Sequence, residues 1–528
     1  MTIFSSILTW IILLPVIGAV VIYALPTKPA RWVALGFAAA TFVLSLVVVF
    51  THISQGFGDL QHLAESINLP WIDFKTAGLE IKVDYFLGVD GLSLPMVVLN
   101  ALLSMLAIIG GWEKNRVKDY MALLLILEAG VMGVFMALDL LFFFLFWEVE
   151  LAPMFILIGV WGSDVVKHGM PGRIYSAWKF LIYTFFGSVF MLVGILLLYF
   201  LNISHGNPAT GSMPYFVAHM FNDTITLPII GVTVGAQLLV FLLIFVAFAV
   251  KIPMFPFHTW LPDAHTDAPT EVSVILAGVL LKMGAYGLIR ICFTLFPLGV
   301  HQFAGWLAVI AVINIIYGAG ICLVQKDMKK LIAYSSVSHM GIVLLGVAAA
   351  AGSGDVAFRT AALMGATVQM FSHGLITGLL FFCVGVIYDH AHTREIAVFG
   401  GVAKKMPMLA TLFTFAALAS LGLPGLAGFV AEYMVFTSSY QIWQAATIVS
   451  VFTMILTAAY LLWMIKRVFY GPFNKKWAWL PDASLREVVP LFVLAAVIVL
   501  VGVYPKPLID VITPSLTHVM QAAVAMIK

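Results

Sequence analysis

The sequence predicts an all-α membrane protein, and three observations support this fold class. Of its 528 residues, 62% are hydrophobic and 10% are charged, whereas an ordinary soluble domain has about 25% charged residues. Apolar runs that are long enough to cross a bilayer, which takes about 20 residues, recur along the whole chain. Connections rich in charge, proline or glycine separate these runs. We therefore expect one polytopic domain embedded in lipid.

Fourteen transmembrane spans are predicted from the apolar runs. They begin near residues 7, 31, 84, 119, 139, 173, 227, 268, 302, 329, 357, 407, 441 and 487. The first run, Ile7 to Leu25, is too long for the apolar part of a cleavable signal peptide and lacks the basic residues that precede one. We expect this run to stay in the protein as a helix.

The distribution of lysine and arginine predicts the orientation of the chain. Most of these residues outside the spans lie in or beside the connections that follow odd-numbered spans. The opposite side holds few: Lys75, Lys82, Arg290, Arg359, Lys506 and Lys528. Since basic connections stay on the cytoplasmic side, the odd connections should face the cytoplasm. An even number of spans then places both termini on the periplasmic side of a bacterial inner membrane.

The residues give no pattern for a metal, disulfide or nucleotide site. Cys292, Cys322 and Cys383 stand far apart in apolar surroundings, without the paired spacing of zinc or iron–sulfur ligands. The chain has no phosphate-binding glycine loop, and no basic run interleaved with aromatic residues indicates nucleic acid. We expect no cofactor and no metal in this chain.

Three lysines fall inside predicted spans, where a charge costs roughly 2.5 to 3.5 kcal/mol and so indicates function. Lys251 precedes Pro253, which should break the seventh span, and broken membrane helices line cavities or ion paths. Lys282 lies in an apolar stretch rich in small residues, from Gly278 to Gly287, where helices can approach closely. Apolar residues on both sides of Lys251 and Lys282 argue against snorkelling to the interface. For Lys179, snorkelling and function remain equal alternatives.

Acidic residues also interrupt the spans. Glu148 and Glu150 lie in the fifth span, and Glu432 lies late in the twelfth. At two-residue spacing, Glu148 and Glu150 point to different faces of a helix. A buried lysine without an acid would tend to lose its proton, so we predict Glu148 as the partner of Lys251 and leave Glu150 unassigned. Glu432 is either a functional acid, which we favour, or an interfacial carboxylate.

Histidines add groups that titrate near neutrality. His339 and His373 lie inside spans, beside hydroxyl residues. Taken singly, each is equally well explained as a satisfied core residue, but together with the buried lysines and acids they indicate a proton relay. His258 and His265 lie in a connection, where they either form a mouth for proton uptake or are solvated loop residues. We favour solvated loop residues.

Several segments together resemble the antiporter-like subunits of respiratory complex I. They are VDGLS (89–93), WE (147–148), KF (179–180), AVKIP (249–253), HTWLPDAH (258–265), APT (268–270), LLKMGAYG (280–287), YSSVSHMG (334–341) and GLPG (422–425). The resemblance covers nearly the whole chain. Within that family, the chain looks most like the M-type subunit, or chain 4, of NADH-quinone oxidoreductase. Glu432 stands where L-type and N-type relatives typically have lysine, and the chain ends soon after its fourteenth span.

The resemblance implies a fold with two inverted five-helix repeats. They would cover residues 119–295, as helices 4 to 8, and residues 300–470, as helices 9 to 13. Residues 1–118 would form helices 1 to 3, and residues 487–528 would form helix 14. Each repeat is expected to contain one broken helix, at Pro253 in the first and at Pro424 in the second.

The resemblance also implies a proton-translocating, non-redox subunit of an NADH:quinone oxidoreductase, with no catalytic chemistry of its own. NADH, FMN, iron–sulfur clusters and quinone are then expected in partner subunits, and L-type and N-type subunits are expected neighbours. The implied proton pathway comprises a first-half acid, its paired lysine, a central lysine, two connecting histidines and an exit-side acid. In that order these are Glu148, Lys251, Lys282, His339, His373 and Glu432.

Two other functions remain open at this point. One is a subunit of an Mrp-type cation/proton antiporter, and the other is a subunit of a ferredoxin-driven relative of complex I. A haem–copper oxidase core would need closely grouped histidine ligands within the spans, and two isolated histidines are too few.

Overall fold

The computed structural model describes residues 3–53, 56–76, 79–219, 224–227 and 232–527. In chain order, its α-helices are α1 (Ile7–Ala24), α2 (Thr27–His52), α3 (Leu94–Gly110), α4 (Val117–Met136), α5 (Leu140–Val149), α6 (Leu151–Trp161), α7 (Gly172–Ser204), α8 (Met213–Ala218), α9 (Ala236–Lys251), α10 (Trp260–Asp267), α11 (Thr270–Ile275), α12 (Leu281–Gly287), α13 (Pro297–Cys322), α14 (Met328–Gly352), α15 (Val356–Ala391), α16 (Pro407–Ser420), α17 (Ala427–Tyr440), α18 (Gln444–Ile465), α19 (Leu485–Val503) and α20 (Lys506–Ile527). Its strands are β1 (Glu65–Thr76), β2 (Leu79–Val89), β3 (Val166–Lys167), β4 (Met170–Pro171), β5 (Thr224–Leu227) and β6 (Val232–Gly235), paired in three antiparallel hairpins.

The helices confirm the predicted all-α, polytopic fold. Within the described residues, 12 helical segments are long and apolar enough to cross a membrane. Two shorter apolar helices, α9 and α16, end before turns, and α10 and α17 follow them. Counting each of these broken helices as one span gives the predicted fourteen.

The predicted starts of the third and seventh spans, near residues 84 and 227, are wrong. Residue 84 lies in β2, which pairs with β1, and residue 227 ends β5, which pairs with β6. The helices themselves begin at Leu94 and Ala236. The apolar content of these segments is typical of a membrane span, but their alternation of apolar and polar residues indicates a strand.

The predicted single helix over residues 487–528 is also wrong, because the chain bends between α19 and α20. Tyr504, which ends α19 in a non-helical conformation, precedes a proline, and a proline disfavours helical geometry in the residue before it. In α20, the Ser515 hydroxyl donates to the Gly58 carbonyl at 2.6 Å and accepts from the Gly91 amide at 2.8 Å. The extra helix is therefore tied to the segments that flank the β1–β2 hairpin.

The most enclosed helices are those that carry the candidate ionisable residues. In the span Thr270–Phe293 and in α15, the 18-residue apolar stretch is 100% buried inside the protein, whereas that of α2 is 28% buried. Helix α14 is nearly as enclosed and packs between α13 and α15. Lys282, His339 and His373, which these helices carry, therefore face protein rather than lipid.

Candidate functional site

An ion pair between Lys251 and Glu150 lies at the first broken helix. Lys251 is the last residue of α9, and its ammonium contacts the carboxylate of Glu150, which joins α5 to α6. The side chains are 1% and 0% exposed, respectively. The helix ends here because Pro253 removes a backbone donor and disfavours helical continuation. The break therefore places an ammonium and a carboxylate together inside the protein.

The prediction that Glu148 is the partner of Lys251 is wrong. Trp147 and Glu150 are three residues apart and share a face, and the Lys251 ammonium lies 5.4 Å from the centre of the Trp147 ring. Glu148 points elsewhere, is only partly buried and lies beside Ser188. Its buried Oε1 has no hydrogen-bond partner among the described residues. The two acids do face different ways, as their spacing predicts, but Glu150 is the one that turns inward.

Lys282 occupies the second position of α12, between two π-helical segments, Leu276–Leu280 and Leu288–Phe293. Its ammonium nitrogen contacts the Ala277 carbonyl and lies 2.7 Å from Nδ1 of His373. Single π turns inside α-helices occur frequently at functional sites. Lys282 is 0% exposed and forms no ion pair within the part of the chain that the structure describes. Its partners are thus a carbonyl and an imidazole.

From Lys282, a row of ionisable groups continues to Glu432. The rings of His373 and His339 have their centres 5.6 Å apart. Nδ1 of His339 lies 3.3 Å from a Glu432 oxygen, and its Nε2 lies 3.2 Å from the Ser420 hydroxyl. All four ionisable side chains are buried. We call Lys282, His373, His339 and Glu432 the lysine–histidine row.

A small cavity of about 10 Å³ opens along this row, which is about the space that one water needs. The second broken helix supplies part of its lining, since α16 ends at Ser420 and α17 begins at Ala427. Gly422, in the turn between them, has φ +74°, and a Cβ there would lie 2.9 Å from Glu432 Oε2. This turn needs glycine both for its backbone conformation and for the space beside the carboxylate.

The ion pair and the lysine–histidine row meet where α9 packs against α12. A Cβ on Gly284 would lie 3.0 Å from Cβ of Lys251, so the missing side chain lets α12 approach the end of α9. Lys251 and Lys282 therefore lie on adjoining helices. The two lysines contact different side chains, Glu150 in the case of Lys251 and His373 in the case of Lys282.

The prediction that His258 and His265 are solvated loop residues is wrong, because both are buried. Nε2 of His258 lies 3.1 Å from the Tyr317 hydroxyl. His265 stacks on Phe381 with ring centres 4.7 Å apart, and neither ring nitrogen has a partner among the described residues. The segment was predicted to be a loop, but it continues as α10 into the protein interior.

Lys179 belongs to an ion-pair network apart from the row. Its ammonium lies 2.7 Å from Asp263, and Lys167 contacts both Asp263, at 3.4 Å, and Asp267, at 2.7 Å. Lys179 remains partly exposed, with 19% of its side chain accessible. The network ties α7 to α10.

Arg290 and Glu128 are among the buried charged residues that were missed as candidates. Arg290, predicted to lie in a connection, is inside the eighth span, with Nη2 2.5 Å from Asp90 Oδ1 and Nε 3.1 Å from the Tyr286 hydroxyl. Glu128 lies in the middle of α4 with no exposure. The rule that singled out Lys251, a charge with apolar residues on both sides, would have found Glu128 as well.

Known proteins resemble this chain in sequence over most of its length. A family described as "NADH:quinone oxidoreductase/Mrp antiporter, TM" matches residues 137–457. NADH-quinone oxidoreductase subunit M of Rhodobacter capsulatus is 42% identical over 501 residues, which cover 94% of this chain and 91% of the relative. NAD(P)H-quinone oxidoreductase chain 4 of Gloeobacter violaceus is 38% identical, with 98% and 94% covered.

Solved structures resemble the chain in fold. A chain of respiratory complex I from Thermus thermophilus with bound NADH has a TM-score of 0.81 and 28% identity, covering 97% of this chain and 99% of that one. A chain of the Mrp complex from Dietzia has a TM-score of 0.80 at 20% identity, covering 99% and 100%, which shows a shared fold. The chain therefore belongs to the NADH:quinone oxidoreductase/Mrp antiporter family, as an antiporter-like M-type subunit of the complex I kind.

Proposed function

We propose that this chain translocates protons across the membrane as a non-redox subunit of an NADH-quinone oxidoreductase. The observation that carries the proposal is the buried lysine–histidine row, in which Lys282, His373, His339 and Glu432 follow one another through the protein interior. Ionisable residues inside a membrane are expensive and mark ion or proton paths. Membership of the family supports the same function.

In the first half, Glu150 favours the protonated form of Lys251 as long as the two are in contact. A movement that separates them lowers the proton affinity of Lys251, and Glu148, whose Oε1 lacks a partner in the described chain, is a second acid nearby. One pKa unit corresponds to about 1.4 kcal/mol. Moving one charge across 100 mV takes about 2.3 kcal/mol. A pKa change of a few units therefore provides enough free energy for this movement.

In the second half, the proton passes from Lys282 to Glu432 through the two imidazoles. A histidine accepts a proton at one ring nitrogen and releases one from the other. Each step breaks one N–H or O–H bond and forms another, so no electron is transferred within this chain. The cavity beside His339 has room for about one water that bridges two groups of the row.

The rest of the proposed assembly follows from the family. NADH, FMN, iron–sulfur clusters and quinone belong to partner subunits, and L-type and N-type subunits are neighbours in the membrane. The chain lies in a bacterial inner membrane with both termini on the periplasmic side. Its core comprises two inverted repeats over residues 119–295 and 300–470.

Replacing Lys282 tests the function. The assembled complex carrying Lys282→Ala, reconstituted into vesicles, is expected to lose proton translocation because the row loses its first group. The matched control is Lys75→Ala, an exposed lysine paired with Glu80 at 2.9 Å, which should translocate like the unmodified complex. Normal translocation by a correctly assembled Lys282→Ala complex would remove Lys282 from its role.

An Mrp-type antiporter is the second candidate function, and the fold shared with the Dietzia Mrp complex favours it. The two candidates differ in what accompanies the chain. Co-purification with quinone-reducing and iron–sulfur subunits supports the redox-driven complex. Sodium-dependent transport by the chain without those subunits supports the antiporter. The identity of the redox subunits also distinguishes an NADH-driven complex from a ferredoxin-driven one.

A further inference from the structure

Glu128 is a buried acid with no assigned role. It lies in the middle of α4 and is 0% exposed. Neither of its carboxylate oxygens has a hydrogen-bond partner among the described residues, and no basic side chain there forms an ion pair with it. An ionised carboxylate in such a place is very costly, so the neutral carboxylic acid, which carries a proton, is the form that this site favours.

Polar groups without partners on α3 face the same place. The Asn100 amide donates to the Glu128 carbonyl at 3.1 Å, while the buried Asn100 Oδ1 and Ser104 Oγ have no partner within the described ranges. Asn100 and Ser104 are one turn apart on one face of α3. Side chains on a helix lean toward its N-terminus, and α4 runs antiparallel to α3 across a short connection. The Glu128 carboxyl therefore leans toward Ser104.

The same face of α3 leads to a polar cavity near one membrane surface. At its end, Cβ atoms on Gly110 and Gly111 would lie 3.1 and 3.7 Å from Cγ of Glu271. Glu271 accepts from the Tyr120 hydroxyl at 2.8 Å and lies 3.4 Å from the Lys114 ammonium. Its carboxylate raises the pKa of Lys114, which lies in the connection, above the ordinary value. Lys114 lines a cavity of about 90 Å³ together with Asp267, Lys329, Asp389 and Arg394.

Glu128 and Lys282 lie at similar depth in the membrane. Two contacts, fifteen residues apart on each element, show that α4 and the span Thr270–Phe293 run side by side in the same direction. The Tyr120 hydroxyl donates to Glu271, and the Tyr286 hydroxyl donates to the Phe135 carbonyl. On α4, Glu128 lies eight residues after Tyr120, which is about 12 Å along the helix axis. On the neighbouring span, Lys282 lies eleven residues after Glu271, which is about 16 Å. At one depth there thus lie Glu128 and Lys282, neither of which forms an ion pair with another described residue.

We propose that Glu128 is the internal proton donor to Lys282, at the inner end of an uptake branch that follows α3 from Glu271 and the cavity that Lys114 lines. This inference rests on the proposed function. The O–H bond of Glu128 breaks and an N–H bond forms on the neutral Lys282 amine. The resulting carboxylate and ammonium attract each other until Lys282 passes its proton to His373. Glu128 then takes a new proton from the Glu271 side.

The test replaces Glu128 with glutamine, which keeps the shape and the hydrogen-bonding capacity but holds no transferable proton. The Glu128→Gln complex in vesicles is expected to take up protons at least about tenfold more slowly, since a positioned proton donor contributes 10²–10⁴-fold. The control is Glu80→Gln, a partly exposed acid of β2, which should not change the rate. Normal proton uptake by an assembled Glu128→Gln complex would overturn the proposal.

A second measurement applies even if Glu128→Gln does not assemble. Infrared difference spectra taken during turnover should contain a band of a protonated carboxylic acid that shifts in Glu128→Asp, which keeps the carboxyl group. A spectrum unchanged by that substitution would contradict the proposal. Lys282→Ala is measured in parallel. If Lys282→Ala abolishes proton uptake while Glu128→Gln leaves it normal, only the donor role of Glu128 is contradicted. Normal proton uptake in both variants would contradict the proposed function as well.

Discussion

The two halves of the candidate pathway hold their lysines in different ways. At the first broken helix, Lys251 contacts the Glu150 carboxylate directly. In the second half, Lys282 contacts a carbonyl and an imidazole, and the nearest acid of the row, Glu432, is reached only through two histidines. Within the described part of the chain, Lys251 is thus compensated by a neighbouring charge, whereas Lys282 forms no ion pair.

This difference indicates what each half does. A buried ion pair keeps a proton in place until its partners separate, because each charge needs the other. A lysine beside an imidazole has no such partner, so its proton is free to move to the next group. The first half is therefore suited to holding and releasing a proton in response to movement, and the second half is suited to conducting it.

The largest expected effect concerns the two acids of the fifth span. Glu150→Gln leaves the Lys251 charge buried without a partner and should lower the free energy of unfolding by about 3–5 kcal/mol. Glu148→Gln removes no ion pair of the described structure and should change stability little, although it removes an acid of the proposed pathway. Thermal unfolding of the two purified complexes in detergent measures the difference. Equal losses of stability in both variants would contradict the role of Glu150 as the acid that compensates the Lys251 charge.

A smaller effect concerns Asp139, a buried acid outside the spans that caps α5. Burial raises its pKa from 3.8 to about 6. As the pH rises from 4 to 6, the unfolded chain releases this proton first, so the free energy of unfolding should fall and then level off above the folded-state pKa. The total is on the order of 3 kcal/mol.

Asp139→Asn keeps the helix cap and removes the titrating group, so it should be more stable than the unmodified protein at pH 7 and similar to it at pH 4. Unfolding midpoints across this range test the prediction. Parallel pH profiles for the two proteins would mean that burial at Asp139 carries no such cost.

The sequence predicted most spans well, because a bilayer requires long apolar helices and such helices make up most of the described chain. It failed where tertiary pairing decides local structure, as in β2 and β5, which form hairpins from apolar segments. The prediction that His265 is a solvated loop residue also failed because it depends on tertiary structure. Only the folded chain shows that the segment after the helix break returns to the protein interior as α10.

The ionisable groups of the site were predicted more completely than their contacts. Lys282, His339, His373 and Glu432, singled out one by one, come together in one row. The partner of Lys251 was missed, because the choice between Glu148 and Glu150 depends on the turn that joins α5 to α6. Spacing alone separates the faces of a helix but does not say which face is buried. Arg290 was missed because it was counted among the basic residues outside the spans, although it lies inside the eighth span.

Proton conduction by the lysine–histidine row is tested most directly by removing its two imidazoles together. In a complex with His339→Phe and His373→Phe, ring packing is kept but no nitrogen joins Lys282 to Glu432. His301→Phe, outside the row and bonded to the Ala351 carbonyl at 2.8 Å, is the control. Protons translocated per quinone reduced by reconstituted complexes should fall in the double variant and stay unchanged in the control. An unchanged ratio in an assembled double variant would contradict conduction through this row.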